Sequence, residues 1–280
     1  MRAAPLLDLS ACRVFYDGTT TEPRLDHPEC VAVHPDGSVW CGGELGQIYR
    51  IDPEGARLEV VGSTGGFCLG LALDAGGDVF VCDLKHSAVM HWDSGHRTVE
   101  RFADGVPGYA MRVPNYPVFD QAGRLYVSDS YSPTEPGPGI FRFAPDGSGT
   151  LWFDEPLRFA NGLALSPDGA HLYVAETFAN AVVRIPILSD GSAGSREEVA
   201  RLPGVLPDGL AFDQRGDLYV GCYEPSQVLR IRQDGQVECV VADPQAHMLC
   251  HPTNLAWRGT TLFAANLGRW HITAIELEGV

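Results

Sequence analysis

A short phrase recurs six times along this chain: an apolar strand, a tight turn that in most copies ends in glycine, and a second strand of the Leu-Tyr-Val type. Aligned on that glycine or its equivalent, the copies read ECVAVHPDGSVW (29–40), LGLALDAGGDVF (69–80), NYPVFDQAGRLY (115–126), NGLALSPDGAHLY (161–173), DGLAFDQRGDLY (208–219) and NLAWRGTTLF (254–263). Their first residues are 40, 46, 46, 47 and 46 positions apart, the period of four-stranded propeller blades and not of helical solenoids. A third strand with period-2 alternation follows each phrase, from QIYRI (47–51) to HITAIEL (271–277). Outer-edge candidates such as RLEVV (57–61) follow the first five, and the sixth has none. RVFY (13–16), ahead of the first phrase, has the right alternation and no partner. The expected fold is all-β: a six-bladed β-propeller forming one domain over 1–280, its ring closed by the N-terminal strand joining the last blade.

The bulk properties narrow the function classes. A length of 280 residues is large for one domain, but a toroidal fold reaches it because each blade adds its own core. Apolar residues make up 45% and charged ones 20%, which excludes a disordered chain and gives no membrane span. The start, MRAAPLLDLSACRV, is interrupted by Asp8 and is poor material for a secretory signal, so a cytoplasmic location is expected. A net charge of −16, spread along the chain, repels phosphate backbones and anionic lipid, leaving a small molecule as the expected partner. The eight cysteines form no CxxC pair and read as buried free thiols.

The first residues of the six phrases are Glu29, Leu69, Asn115, Asn161, Asp208 and Asn254, so five of six carry an oxygen donor. If these strands are innermost, the six side chains ring the central channel at one mouth. Two carboxylates and several amides are hard ligands suited to Ca²⁺, Mg²⁺ or Mn²⁺ and tolerable to Zn²⁺ or Fe²⁺. Without a cation the carboxylates would repel one another. Asn-Gly and Asp-Gly are also ordinary turn dipeptides, but Glu29 is a poor turn former, and Pro207-Asp208-Gly209 begins a strand where the other Pro-Asp-Gly sequences end one. His27 and His251 each precede a proline close to the ring and are candidates for proton transfer or simply caps of the inner strands. Asp83, Asp129, Glu176 and Asn266 end second strands at the same mouth, where they would bind substrate hydroxyls or merely terminate strands.

FANGLALSPDGAHLYVAETFANAVVRI, LPGVLPDGLAFDQRGDLYVGCY and the closing HPTNLAWRGTTLFAANLGRWHITAIEL resemble the SMP-30/gluconolactonase family of six-bladed propellers over nearly the whole chain. The resemblance implies a catalytic divalent metal held by Glu29, Asn161 and Asp208, with Asn115 touching substrate or water. It also implies hydrolysis of a cyclic ester, a sugar-acid or related small lactone. Asp208 is then the candidate base. Asn115, Tyr116, Asp129, His27, His251 and Asn254 are the candidate substrate contacts.

The chain departs from the family's usual pattern in two places. Glu-Gly-Pro is replaced by Glu29-Cys30-Val31, and His27-Pro28-Glu29 is similar to the strictosidine-synthase-like branch of the superfamily. Asn-Asp is replaced by Asn115-Tyr116, and the arginine often found two residues earlier by Val113, with Arg112 one step further away. Together with Phe67, Leu69, Tyr109 and Met111, Tyr116 suggests a less polar pocket. Two alternatives stand beside the lactonase: a metal-independent enzyme condensing an amine with an aldehyde, and a non-catalytic ligand-binding propeller.

Overall fold

Each repeated phrase supplies the two inner strands of a four-stranded antiparallel sheet, and six such sheets surround one axis. The computed structural model describes residues 4–277. Blade 1 comprises Ala32–Val33, Val39–Gly42, Gln47–Ile51 and Leu58–Ser63; blade 2, Cys68–Leu73, Val79–Asp83, Ala88–Asp93 and Thr98–Ala103. Blade 3 comprises Pro114–Phe119, Leu125–Asp129, Ile140–Phe143 and Gly149–Phe153; blade 4, Ala160–Leu165, His171–Glu176, Ala181–Pro186 and Glu197–Arg201. Blade 5 comprises Leu206–Phe212, Leu218–Glu224, Gln227–Ile231 and Val237–Ala242. Blade 6 comprises Pro252–Arg258, Thr261–Asn266 and His271–Glu276, and its outermost strand is the N-terminal Cys12–Asp17. Cys12 faces Ile275 and Asp17 faces His271, so both ends of the chain share one sheet and the ring is closed as expected.

The turns between inner strands lie at the end opposite the ring. At Pro35-Asp36-Gly37 the Asp36 carboxylate accepts the Ser38 N–H at 2.8 Å, and Gly37 adopts φ 86°, which a side chain would resist. At the ring end stand the loops that lead into each inner strand and those that join second to third strands. An additional hairpin, Gly105–Val106 paired with Tyr109–Ala110, rises there between blades 2 and 3. No helix among the described residues is long and apolar enough to cross a membrane.

Apolar side chains gather into six clusters, one at each blade-to-blade interface. The cluster between blades 6 and 1 contains Phe15 and Tyr16 from the closing strand together with Val39, Tyr49, Phe263 and Ile272. Phe15 is buried and meets Phe263 edge-to-face at 4.8 Å. Met111 and Phe67 belong to the cluster between blades 2 and 3, and Met111 also borders a cleft beside the Gly105–Ala110 hairpin, together with Tyr109. All eight cysteines are free, as expected, and all but the half-buried Cys239 are buried.

The closing contact is where the ring is most open to test. Phe15→Ala should cost about 3–4 kcal/mol in a urea unfolding titration, the loss expected for a buried phenylalanine. Because the closing strand joins first blade to last, the loss should appear as a shift of a single cooperative transition.

Candidate functional site

The inner strands share a local irregularity that builds the ring. Pro114 pairs with Asp129 and Pro117 with Val127, so two residues of the inner strand, Asn115 and Tyr116, bulge out of the ladder. The same bulge holds Leu69 and Gly70 in blade 2, Asn161 and Gly162 in blade 4, and Asp208 and Gly209 in blade 5. A bulge re-aims side chains and releases backbone from pairing, which is why bulges gather beside active sites. In blade 1 regular pairing shrinks to Ala32 and Val33. There the Cys30 thiol accepts the Gly42 N–H at 3.1 Å.

Blade 6 corrects one expectation. Its bulge contains Thr253 and Asn254, so Thr253 holds the first position and Asn254 the second. Close packing agrees: a Cβ on Gly162 would stand 2.3 Å from the Asp208 carbonyl, and one on Gly209 would stand 2.6 Å from that of Thr253. Asn254 therefore matches Tyr116, Gly162 and Gly209, one step past the ring. The turn in this blade is shorter, with Arg258 facing Thr261, and alignment on its glycine misplaced the phase. Thr253 spends its hydroxyl on the Glu29 carbonyl, leaving Glu29, Asn115, Asn161 and Asp208 as the ring's oxygen donors, with Leu69 apolar.

These four side chains are at most 5% exposed. Glu29 Oε2, Asn115 Oδ1, Asn161 Oδ1 and Asp208 Oδ1 each lack a hydrogen-bond partner, as do both amide atoms of Asn254. An acceptor left unpaired on burial costs about 1–3 kcal/mol, so a cluster of them favours a bound partner that several can share. Two hydroxyls set the amide orientations. Ser130 donates its proton to the Ala160 carbonyl at 2.8 Å and can then only accept, which it does from Asn115 Nδ2 at 3.0 Å. Thr177 donates to the Pro207 carbonyl at 2.8 Å and accepts from Asn161 Nδ2 at 3.2 Å. With each Nδ2 so engaged, each Oδ1 is left to face the ring. Asn161 Nδ2 also donates to Asp208 Oδ2 at 3.1 Å. Sequence reading missed Ser130 and Thr177, although each directly follows an acidic residue that ends a second strand.

The other expected residues divide. Tyr116 is buried at the second bulge position and packs into the cluster between blades 3 and 4. Asp129 is committed to the loops: it is buried and accepts N–H groups from Arg112, Val113 and Tyr131 at 2.8–2.9 Å. Its counterparts behave alike, Glu176 bonding Arg158 N–H and Arg196, and Asn266 bonding Cys250 N–H. The second ring therefore ties each entering loop to its blade. His27 stacks on Trp270 at 4.6 Å, with Nδ1 3.2 Å from Glu44. Asp26, His27 and Glu44 bring one ligand-type atom each within 4.8 Å of one another, a half-buried acid-base group that sequence spacing did not announce. His251 stacks on Tyr223, and its Nδ1 lies 3.0 Å from the Tyr223 carbonyl, which requires a proton on Nδ1 and leaves Nε2 available. Tyr223 was also missed; the Glu29 and Asp208 charges, added to burial, push its phenol up.

Burial pushes the Asp208 carboxyl up to about 7 against the pull of the Asn161 bond, and burial plus the Asp208 and Glu44 charges hold Glu29 well above the usual carboxylate range. A metal-free folded chain thus keeps protons on these groups that an unfolded chain releases above about pH 4. The Asp208 contribution to stability is full in acid, falls as pH rises from about 4, and is gone above about 7. Asp208→Asn removes one of the two groups. Its stability relative to the parent, measured on chelator-treated protein, should rise by about 2–3 kcal/mol between pH 5 and 7.5. A saturating divalent cation should abolish that gain.

A family model described as the SMP-30/Gluconolactonase/LRE-like region matches residues 46–264. A 6-deoxy-6-sulfogluconolactonase of Pseudomonas putida is 29% identical over 205 residues, covering 71% of this chain and 68% of that protein. Lactonase drp35 of Staphylococcus saprophyticus is 33% identical over 162 residues, 54% of this chain, and the match spans about half (49%) of that protein. Protein strictosidine synthase-like 4 of Arabidopsis thaliana is 27% identical over 215 residues, 70% of this chain and 56% of that protein. The fold superposes on a gluconolactonase from Xanthomonas campestris with a TM-score of 0.77 at 21% identity, covering 95% of this chain and 89% of that one. It superposes on virginiamycin B lyase from Staphylococcus aureus with a TM-score of 0.64 at 16% identity, covering 89% and 80%. Such structural likenesses speak for the fold alone, which carries more than one reaction. The family model spans most of the propeller, from the third strand of blade 1 into blade 6, and the chain belongs to the SMP-30/gluconolactonase/LRE-like family.

Proposed function

We propose that this chain is a divalent-metal-dependent lactonase that opens a small cyclic ester. The observation that carries the reading is the set of buried, unpartnered oxygens on Glu29, Asn115, Asn161 and Asp208 at one mouth of the channel. Its relatives include proteins named as lactonases, which supports the same reaction. The donors are hard oxygens carrying two negative charges when ionised, a fit for Ca²⁺, Mg²⁺ or Mn²⁺, with Zn²⁺ and Fe²⁺ also accommodated. When bound, such an ion would supply Lewis acidity toward a carbonyl oxygen and make water more acidic.

The side chains around it have separable tasks. Glu29 and Asn161 would hold the ion, and Asn161 also steadies Asp208 through its Nδ2 bond. Asp208, whose Oδ1 is free of protein partners, would be both a ligand and the base for a water's proton. Asn115 Oδ1, locked in direction by Ser130, accepts a bond from that water and orients it toward the ester carbon. Leu69 contributes no donor, so the set is open on the blade 2 side. His251 Nε2 is available to carry a proton onward. The amine-aldehyde reading is supported by the strictosidine synthase-like relative. It leaves the unpartnered amide oxygens of Asn115 and Asn161 without a shared ligand, and is for that reason second.

Chelator-stripped protein should show no proton release from γ- or δ-lactones, and one of the five ions should restore turnover and raise the melting temperature. Asp208→Ala and Glu29→Gln should each lower kcat/KM by at least about a thousandfold in protein that remains folded by circular dichroism. Turnover that persists without metal, or is absent with every ion, would overturn the assignment. Ser130→Ala should weaken metal affinity about tenfold, read by Tb³⁺ luminescence or by titration with Mn²⁺, and Ser130→Thr should restore it.

A further inference from the structure

Asn254 carries a need that an ion in the ring cannot meet. The unpartnered atoms of Glu29, Asn115, Asn161 and Asp208 are all oxygens, which one cation satisfies together. Asn254 is 1% exposed and has both Oδ1 and Nδ2 unpartnered, so in either orientation of the amide a buried NH₂ group stands without an acceptor. A donor left so costs about 1–3 kcal/mol, and only an oxygen relieves it. The other amide donors at this end of the channel are spent, Asn115 Nδ2 on Ser130 and Asn161 Nδ2 on Thr177 and Asp208.

Strand register places that amide. Inner strands run from the mouth toward their turns, so the second position of a bulge is deeper than the first, and Asn254 stands one step beneath the ring. A Cβ on Gly162 would stand 2.3 Å from the Asp208 carbonyl of blade 5, and one on Gly209 would stand 2.5 Å from the Asn254 Cα of blade 6. A side chain at this position therefore sets out toward the inner strand of the following blade. For Asn254 that blade is blade 1, where its N–H meets the Glu29 carbonyl at 3.4 Å and Thr253 donates to the same oxygen. Glu29 Oε2 is itself buried and unpartnered. The two residues thus touch through their backbones while a side-chain donor on one and an acceptor on the other stay unbonded to each other. A molecule that accepts from the first and donates to the second satisfies both, and water is the smallest that does so.

We infer that Asn254 holds a water beneath the ring, its Nδ2 donating to the water oxygen and the water donating to Glu29 Oε2. The inference rests on the metal-dependent reading above and adds a residue to it. The remaining lone pair of that water is left for the ion on the channel side, so the position open to a lactone is the one facing the mouth. Asn254 is on this account a positioning residue that acts through the water and through Glu29, and not a substrate contact.

Luminescence lifetimes of Eu³⁺ in H₂O and D₂O count the waters on the ion. Saturating Eu³⁺ on chelator-stripped protein should carry about one water fewer in Asn254→Leu than in the parent, and bind about tenfold more weakly. Asn254→Ser, which keeps a donor and leaves more room, should retain the water. A count unchanged in Asn254→Leu would overturn the assignment. A crystal structure of the ion-free parent decides the water independently of any variant. A water within hydrogen-bond distance of both Asn254 and Glu29 supports it; no water there, or a direct bond between the two side chains, refutes it. If Eu³⁺ does not bind the parent and no other ion does, the metal reading fails, and the crystal structure alone decides whether Asn254 holds a water.

Discussion

Six inner strands meet around one axis, so every polar group buried there must bond a neighbouring blade, a ligand or a water. Hydroxyls do much of the first. Ser128 donates to the Asn161 carbonyl, Ser130 to that of Ala160, Thr177 to that of Pro207 and Thr253 to that of Glu29. Each bond passes from one blade to the next, and together they fix the spacing of the inner strands at the ring end. The side chains that these bonds leave unsatisfied are the ones that define the site.

The bulge is the device that makes this possible. An unbroken ladder would alternate side chains above and below the sheet, and two residues released from pairing in each blade can instead turn toward the axis. The second of the two comes so near the next inner strand that glycine fills it in blades 2, 4 and 5. Where Tyr116 or Asn254 stands there instead, the channel wall beneath the ring carries a buried side chain. Burial raises both carboxyls, and at Glu29 the Asp208 charge adds to it, so the ring favours protons; on the reading proposed above, a cation would take their place.

The mouth shows a division of labour between polar and flat groups. Asp129 and Glu176, at the ends of second strands, bind the loops in place beside Tyr131 and Phe159, which keep a conformation they would not choose alone. A polar residue used as a brace is unavailable to a ligand. The character of the rim therefore follows from how the loops are anchored as much as from which residues they contain.

Blade number, strand order and ring closure were legible in the chain itself, because the period and the alternation are local properties and RVFY had no other partner. Glu29, Asn115, Asn161 and Asp208 were legible for the same reason: repetition in phase marks one structural position, and this reached Glu29 although it stands ahead of the segment matched by the family model. Phase alone misled at Asn254, where a shorter turn displaced the alignment by one residue and only strand register restored it. Asp129 looked like a substrate contact because sequence shows that an oxygen is present and not who already holds it. Ser130, Thr177, Tyr223 and the stacked pairs joined the site through contacts between blades or between loops far apart in the chain. Local pattern thus determined which strands form and which residues line the axis. Hydrogen-bond partners, amide direction and the faces shown to a ligand were decided only when the blades closed around one another.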